Sequence, residues 1–508
     1  MTSDLRKKSH GVVYTPRWLV DLILDKVDFN GSFGTIIDPA CGDGAFLAAA
    51  AERIIKNTTN KTALKKRLQT EIYGVDVDAA VIAKCKNRLS AIAQKAGIST
   101  VKWNLRHGDC VDKKTAVSLC DSFDFVVGNP PYVRIQNLGE SRRLALQNNW
   151  QLCSGGSTDI YIAFFELGVK MLKEKGKLGF ITPNTWLNTS RRELRRFFRR
   201  EKIVKTLIDF EHWQLFENVT TYSLITILQK GARHDSFSLI KGDKKGELRP
   251  LGNIALNDMR DDNWILCAPQ ALKKLQAMIK NRAPLSAIAN IHVGITTLAD
   301  KCYIFHSPDF DGEVARLRHP QSGKTILLER KLLRPIVKAS IIKNSIKEQH
   351  RYILFPYQKI NEKNRLIGEE EITETHPLAH AYFRSIKDTL DKRDKGKKNP
   401  VGWYAFGRSQ GLDTSFGKKI LTSPINRNPH FVVWERPEYT FYSGYCIKFY
   451  GDLNRLARCL NSDDMAFYIN TVSRDYQHNY KSFAKSFLLN FPVPAPETQN
   501  KRISQSLF

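Results

Sequence analysis

The sequence is poor in acidic residues: its 508 residues include 51 Asp and Glu against 79 Lys and Arg, a formal net charge of +28. Positive charges in such excess repel one another unless a polyanion binds to them. Nucleic acid is therefore the first expected partner, and an anionic membrane is the second. Long apolar runs are also missing, and neither terminus carries a basic amphipathic helix or a lipidation signal. We therefore expect a cytoplasmic protein that has no membrane partner.

Metal-binding and disulfide patterns are missing as well. The nine cysteines form no C-x-x-C pair, and no His and Cys residues stand at zinc-finger spacing. Reduced, mostly buried thiols are therefore expected, and no metal. The length predicts two or three domains with full-sized cores, which need neither kind of cross-link.

The first half of the sequence alternates β-branched runs with helical patterns, and we find no internal repeat. The predicted strands are residues 34–38, 71–76, 101–106, 123–127, 177–182, 203–210 and 223–229, and the predicted helices include 45–56, 79–94, 160–172 and 191–202. Such alternation predicts a doubly wound α/β sheet whose site lies at the carboxyl ends of the strands. After residue 230 the pattern becomes irregular, so we predict one domain over 1–240 and a second, α+β domain over 241–508.

A glycine-containing loop follows the first predicted strand. Residues 36–45 read IIDPACGDGA, in which Asp38 ends the strand and Gly42 and Gly44 form the turn into a helix. Glycine allows a close approach to a ligand, and free amides at the helix start offer hydrogen bonds. The loop is not the dinucleotide-binding G-x-G-x-x-G, and an ordinary strand-to-helix turn remains an alternative.

Acidic residues also end the next two strands. Asp76 follows the second strand, where a carboxylate can accept both hydroxyls of a ribose, and Asp109 follows the third. Three successive strand-end carboxylates suit an adenosine-bearing ligand with a positively charged amino-acid part.

The fourth strand runs into Asn129-Pro130-Pro131-Tyr132. The two prolines hold the backbone extended and remove two amide donors, which leaves the carbonyls of Asn129 and Pro130 as unshared acceptors. Acceptors beside an aromatic ring suit the exocyclic amine of a base, because hydrogen bonds from its N–H groups free the nitrogen lone pair. A strand-ending turn without chemistry is the alternative interpretation.

In identity, order and strand position these motifs resemble those of the gamma-type N6-adenine DNA methyltransferases of bacterial restriction-modification systems. The resemblance is strong over about the first 230 residues and weak beyond them, and it rests on Val13-Tyr14-Thr15-Pro16, on DPACGDGAF from Asp38 to Phe46, on Asp76 and Asp109, and on NPPY. It implies the class I S-adenosylmethionine-dependent methyltransferase fold. It also implies a DNA-associated enzyme with double-stranded DNA as substrate and a separate cognate restriction endonuclease as a possible partner.

The resemblance further implies S-adenosylmethionine as cofactor and assigns residues to it and to the target adenine. The implied cofactor residues are Tyr14, Thr15, Pro16, Asp38, Ala40, Cys41, Gly42, Gly44, Asp76, Val77, Asp109, Cys110, Pro131 and Phe164. Asn129 and Pro130 would bind the amine of a flipped-out adenine, and Tyr132 and Phe216 would stack on its two faces. Cys110 departs from the family, where an aromatic residue is common.

Two basic segments are candidates for DNA contact. Arg191 and Arg195 belong to a run of arginines at helical spacing, for which a solvated surface helix is an equal alternative. In the second domain, Lys397, Lys398, Trp403, Tyr404 and Arg408 mix cations with aromatic residues, as in the family's target-recognition regions; a lysine-rich loop beside a core aromatic is the alternative.

Other functions stay open from the sequence alone. NPPY also occurs in methyltransferases of RNA bases and of protein glutamine, although those chains are usually shorter. A binding module without chemistry would be expected to have a broken loop or NPPY, and both are intact. A cytosine-C5 enzyme needs a Pro-Cys nucleophile, which the sequence lacks. Cytosine-N4 transfer is disfavoured only by the Asn of NPPY, and a fused endonuclease is not expected.

Overall fold

The computed structural model describes residues 15–155, 159–188, 191–211, 213–216, 222–280, 282–320, 322–342, 351–473, 475–476 and 479–494. It divides into two compact units, Met1–Lys273 and Lys274–Phe508. The boundary predicted from the sequence, at residue 240, lies earlier in the chain than this division after Lys273. The reason is that two strands after residue 230 extend the first sheet, so that residues 241–273 pack with the first unit.

The first unit is a nine-stranded sheet with helices between its strands. Its strands are β1 (Ile36–Asp38), β2 (Ile72–Asp76), β3 (Asn104–His107), β4 (Phe123–Gly128), β5 (Leu172–Pro183), β6 (Val204–Asp209), β7 (Ser223–Gln229), β8 (Ser236–Gly242) and β9 (Leu248–Ala255). Its helices are α1 (Arg17–Lys26), α2 (Ala45–Lys56), α3 (Lys61–Glu71), α4 (Ala79–Lys95), α5 (Lys113–Val117), α6 (Glu140–Asn149), α7 (Tyr161–Met171) and α8 (Arg192–Glu201), and α9 (Pro269–Lys280) contains the boundary between the units.

The strand order is β3-β2-β1-β4-β5-β7-β6-β8-β9. Strand β1 pairs in parallel with both β2 and β4, so the winding direction reverses there, and loops after β1 and β4 open at this switch point. Strand β7 is antiparallel to both β5 and β6, and β9 is antiparallel to β8. The sheet is therefore mixed, and the predicted doubly wound α/β architecture is confirmed.

Apolar strands and amphipathic helices build this unit as the pattern predicts. The β4 sequence FDFVVG is buried at five of its six positions, as expected for a central parallel strand. Two buried clusters contain its core residues, one including Phe165, Phe180 and Trp186 and the other including Leu19 and Leu47. Helix α3 was not predicted, because its sequence KTALKKRLQTE has only two buried residues and a weak apolar stripe.

The second unit is α+β, as predicted, and is built of several small sheets. Its strands are β10 (Ala283–Pro284), β11 (Asn290–Val293), β12 (Ile304–His306), β13 (Asp309–Asp311), β14 (Val314–Arg318), β15 (Thr325–Glu329), β16 (Leu333–Lys338), β17 (Arg351–Leu354), β18 (Tyr357–Ile360), β19 (Lys363–Leu366), β20 (Lys419–Thr422), β21 (Ile425–Asn426), β22 (Phe431–Trp434), β23 (Thr440–Tyr442), β24 (Tyr445–Lys448), β25 (Asp475–Tyr476), β26 (Tyr480–Ser482) and β27 (Pro492–Val493). Its helices are α10 (Asp300–Tyr303), α11 (Glu369–Thr375), α12 (Pro377–Ser385), α13 (Lys387–Asp391), α14 (Leu453–Leu460), α15 (Asp463–Val472) and α16 (Lys485–Leu488).

The largest sheets described in the second unit have four strands each, in the orders β11-β24-β20-β22 and β12-β17-β16-β23. Most of the pairings are antiparallel, and β16 with β23 is a parallel exception. Short, irregularly spaced strands of this kind explain why periodicity fails to predict individual elements there.

Candidate functional site

The glycine loop joins β1 to α2 at the switch point of the sheet. Gly42 and Gly44 have φ of +53° and +84°, which an L side chain rarely adopts. A side chain at Gly44 would lie 2.5 Å from the Cys85 sulfur, whereas one at Gly42 would have no atom within 4 Å. The loop is thus held by packing at Gly44 and is open at Gly42, where a ligand can approach the backbone.

Asp76 organises this loop from the end of β2. Its Oδ2 accepts a hydrogen bond from the Gly42 amide at 3.0 Å, and its Oδ1 accepts one from the Asp78 amide at 3.0 Å. Val77 follows with a side chain that is exposed although it is apolar. The side chain expected to accept ribose hydroxyls therefore stands between the glycine loop and an uncovered apolar surface.

Asp38 is buried at the end of β1 and contacts the strand that leads to NPPY. Its Oδ1 accepts from the Ala40 amide at 3.0 Å, and a Cβ at Gly128 would lie 2.7 Å from the same oxygen. Burial raises the pKa of Asp38 to about 8; the Ala40 hydrogen bond opposes this shift, and the charges of Asp76 and Asp43 add to it. Position 128 is therefore restricted to glycine, and the glycine loop and NPPY are adjacent.

The carboxylate of Asp109 is held by an arginine that sequence reasoning missed. Arg142, on α6, donates from Nη2 to Asp109 Oδ2 at 2.8 Å, and the Val111 amide donates to Oδ1 at 3.1 Å. Arg142 is one of two adjacent arginines in a polar helix, and spacing alone does not distinguish it. A ligand amine at Asp109 would have to share the carboxylate with this ion pair.

The other predicted cofactor residues fall into exposed and buried groups. Thr15, Pro16, Ala40 and Pro131 are partly exposed, whereas the side chains of Cys41, Cys110 and Phe164 are buried. Cys41 belongs to the same apolar cluster as Cys85, so its side chain is part of the core. Tyr14 lies outside the described residues.

NPPY forms a compact hydrogen-bonded group at the carboxyl end of β4. Asn129 donates from Nδ2 to Thr15 Oγ1 at 3.1 Å, which connects NPPY to the predicted cofactor segment. The Tyr132 hydroxyl donates to Asn129 Oδ1 at 2.5 Å and is 3.2 Å from the Ile181 carbonyl oxygen. The amide oxygen predicted to receive a target amine therefore holds a tyrosine hydroxyl in this structure, and burial raises the pKa of Tyr132 so that this hydroxyl stays protonated.

A second tyrosine supports the Tyr132 ring. Tyr161 is fully buried and meets Tyr132 edge to face, with ring centroids 6.3 Å apart. The Tyr161 hydroxyl lies 3.0 Å from Thr185 Oγ1. Arg191 is also close to Tyr161 and forms an ion pair with Asp159 at 2.8 Å. Residues from three separate segments thus fix the environment of Tyr132.

Phe216 is buried and belongs to an apolar cluster of the first unit that also contains Phe210 and Leu19. The prediction that Phe216 stacks on a target base stays a prediction, and it would need this ring to turn out of the core.

The structure corrects the prediction that Arg195 contacts DNA. Its guanidinium is fully buried and donates to the carbonyl oxygens of Trp186, Asn188, Asp261 and Asp262. Arg191 is mostly covered as well, because it pairs with Asp159. The arginines repeat at helical spacing as predicted, but the Arg195 side chain lies on the buried face of the helix.

In the second unit the aromatic candidates are largely structural. Tyr404 is buried and donates to the Ile367 carbonyl at 2.6 Å, so the prediction that it contacts DNA is also corrected. Trp403 is partly covered and donates from Nε1 to Glu369 at 3.1 Å. Lys397 and Lys398 are exposed, and Arg408 is exposed beside Asp394 at 3.0 Å, so these three remain candidates for phosphate contact.

No helix in the described part of the chain is long and apolar enough to cross a membrane. In the same residues, no group of three or more His, Cys, Asp or Glu side chains could hold a metal ion.

Residues 70–216 match the family model of the Eco57I restriction-modification methylase. The chain is 28% identical over 478 residues to the Type II restriction enzyme and methyltransferase RM.Eco57I of Escherichia coli, across 79% of this chain and 48% of that protein. It is 23% identical over 542 residues to the Type II methyltransferase M.BstVI of Geobacillus stearothermophilus, across 98% of this chain and 92% of that protein. The chain thus spans about half of the first relative and nearly all of the second.

Among solved structures, the chain is similar to the Type IIL restriction-modification enzyme MmeI in complex with DNA. The TM-score is 0.56 at 13% identity, over 96% of this chain and 66% of that one, which is a likeness of fold. By family model, by relatives along the chain and by fold, the predicted resemblance to the methylases of restriction-modification systems is confirmed.

Proposed function

We propose that the protein is a site-specific DNA methyltransferase that transfers a methyl group from S-adenosylmethionine to N6 of a flipped-out adenine in duplex DNA. Such an enzyme would protect host DNA in a restriction-modification system. The observation that carries the proposal is the contact between the Asp38 carboxyl of the glycine loop and Gly128, directly before Asn129. This contact brings the predicted cofactor loop and the predicted amine site side by side.

The residues present fit the proposed cofactor. Gly42 leaves its backbone uncovered, Asp76 is partly exposed beside it, and the apolar Val77 side chain is exposed at the next position. These groups suit a backbone-bound methionine part, ribose hydroxyls and an adenine ring, respectively. When bound, S-adenosylmethionine supplies an electrophilic methyl group on a positively charged sulfur.

The chain's own contribution is to bind and orient the amine. We infer that the target amine replaces the Tyr132 hydroxyl at Asn129 Oδ1, and that the Pro130 carbonyl oxygen accepts the second N–H. Tyr132 would then be free to stack on the base, with its ring still flanked by Tyr161. Accepting hydrogen bonds from both N–H groups would raise the electron density on nitrogen without a strong base, and one N–H proton would leave to solvent when the N–C bond forms. Catalysis would therefore be mainly positioning.

Modification-sensitive sequencing of genomic DNA from a methylation-free host that expresses the chain tests the proposal. N6-methyladenine is expected at one short sequence. Methyl transfer from labelled cofactor to RNA only, or to protein only, would overturn the choice of substrate. Labelled cytosine N4 would overturn the choice of base.

Asn129→Ala tests the assigned role of NPPY. We expect the methylation rate to fall about 100-fold or more, the size of effect seen when a positioned polar group is removed from an active site. Cofactor affinity, measured by calorimetry, should stay the same. Asn137→Ala, an exposed position in the following segment, is the matched control and should behave as wild type. Full activity of Asn129→Ala would contradict the mechanism.

A further inference from the structure

Leu298 has an unusual backbone conformation for an exposed apolar residue. It lies between β11 and α10 with φ of +56°, and its side chain is 42% exposed. A branched side chain without a polar group rarely adopts positive φ, because Cβ crowds the backbone. Strained and exposed residues of this kind cluster at ligand-contacting sites, which makes Leu298 a candidate.

The loop that carries Leu298 is firmly held. The Thr297 hydroxyl donates to Asp300 at 2.5 Å and accepts from the Ala299 amide at 3.0 Å. The Thr297 carbonyl oxygen accepts from the Gly407 amide at 3.0 Å and from Arg393 Nη1 at 3.1 Å. Leu298 therefore stands on a rigid loop, and its conformation is imposed by hydrogen bonds on both sides.

Gly407 determines where the side chain can lie. A Cβ at position 407 would be within 2.5–2.7 Å of three Leu298 atoms, so the leucine rests on the bare glycine backbone. One side of the side chain is thereby supported and the other faces outward.

Basic side chains lie on the same cleft as this leucine, together with Asp300, whose carboxylate accepts a hydrogen bond from the Thr297 hydroxyl. Leu298 lines a cleft of about 590 Å³ together with the exposed Lys301 and Lys392. Arg408, which is exposed, is next to Gly407, and its amide donates to the Thr296 carbonyl at 3.1 Å. Arg393 does not point to a ligand; it donates to the carbonyl oxygens of Thr297, Trp403 and Ala405 and so links residues 403–405 to the loop that carries Leu298.

We propose that Leu298 is an apolar groove contact that meets base edges of duplex DNA, while Lys301 and Lys392 contact flanking phosphates. The inference rests on the proposed function and adds a residue that contributes to sequence choice. Bases lie at the floor of a groove between two rows of phosphates, which matches an apolar tip with cations beside it. A thymine methyl group is the base feature that an aliphatic side chain recognises.

Leu327 provides a matched control within the same unit. It is 44% exposed, almost the same as Leu298, but lies on the regular strand β15 and pairs with Arg316 in a sheet. Leu298→Ala and Leu327→Ala therefore remove the same atoms from equally exposed positions. Leu298→Gly removes the side chain and also relieves the positive φ.

The experiment measures the affinity of the full chain for two duplexes of equal length. The first contains the sequence at which methylation is found in host DNA, and the second has that sequence scrambled. Both Leu298 variants should lose about tenfold in affinity for the first duplex and little for the second. Leu327→Ala should match wild type, and the melting temperature of Leu298→Gly should not fall. Wild-type affinity of Leu298→Gly, equal losses on both duplexes, or losses that follow a fall in melting temperature would each overturn the proposal. Absence of DNA methylation by wild type would instead contradict the proposed function.

Discussion

At the scale of single residues, Asp38 has the most distinctive environment in the candidate site. It is a buried carboxyl whose pKa is raised to about 8, against 3.8 for an ordinary aspartate, and burial is the main cause. Near neutral pH it is therefore mostly protonated. A positively charged ligand beside it favours the ionised form and lowers the pKa again.

Cofactor binding is consequently expected to release a proton from Asp38. Below about pH 8 the free protein holds this proton and the complex does not, so release should approach one proton near pH 7 and vanish near pH 9. Calorimetric titration of S-adenosylmethionine in buffers of different ionisation enthalpy measures it.

Asp38→Asn should abolish the buffer dependence of this binding enthalpy. Asp78→Asn is the control, because Asp78 is an exposed helix cap and asparagine caps equally well. Proton release that persists in Asp38→Asn would contradict the assignment to this carboxyl.

At the scale of elements, α8 illustrates how one buried arginine connects three segments. Arg195 extends from the helix to the turn after β5 and to the loop at Asp261 and Asp262, where it donates to backbone carbonyl oxygens. The turn also contains Thr185, whose hydroxyl is hydrogen-bonded to Tyr161 beneath Tyr132. The position of α8 is therefore coupled to the surroundings of NPPY.

Arg195→Met should destabilise the first unit by roughly 3 kcal/mol, because several buried carbonyl oxygens would lose their donor. Urea unfolding followed by tryptophan fluorescence measures this loss, since Trp186 and Trp264 are buried nearby in the same core cluster.

Arg196→Met, one position later, is the control. Arg196 is exposed and forms salt bridges with Asp261 and Glu193 at the surface, so the free energy of unfolding should stay close to that of wild type. Equal losses in the two variants would show that the buried network contributes nothing of its own.

At the scale of the whole molecule, the net charge of +28 predicts strong dependence of DNA binding on salt. Each phosphate contact adds about 0.9 to the slope of log affinity against log salt concentration. If Lys397 and Lys398 both contact phosphate, changing the pair to glutamine should lower the slope by roughly 1.8.

The pair Lys65 and Lys66 is the matched control for this measurement. Both residues are exposed on α3, and no DNA contact is predicted for them, so Lys65→Gln with Lys66→Gln removes the same charge. We expect a smaller change in slope for this pair. An equal change would mean that net charge, and not contact at Lys397 and Lys398, determines the effect.

Much of the first unit could be predicted because its signals are local. The predicted strand over residues 223–229 and the predicted helix over 45–56 have the bounds found for β7 and α2. Buried β-branched runs and amphipathic spacing encode such elements directly. The exposed helices α3 and α6 escaped prediction, since their polar sequences bury little and leave only weak periodicity.

The candidate site also has parts that the sequence predicts and parts that it does not. The strand-end acids, the glycine loop and NPPY are single residues or short segments at the ends of predicted strands. The sequence by itself therefore determined which functional groups lie at the carboxyl ends of the strands. Only the tertiary structure decided that Arg195 is buried and hydrogen-bonded inside the first unit and that Arg142 forms an ion pair with Asp109. It also decided that Asp38 contacts Gly128, and that Leu298 is exposed with a positive φ. The physical reason is that burial, ion pairing and backbone strain depend on neighbours distant in sequence, which no local pattern specifies.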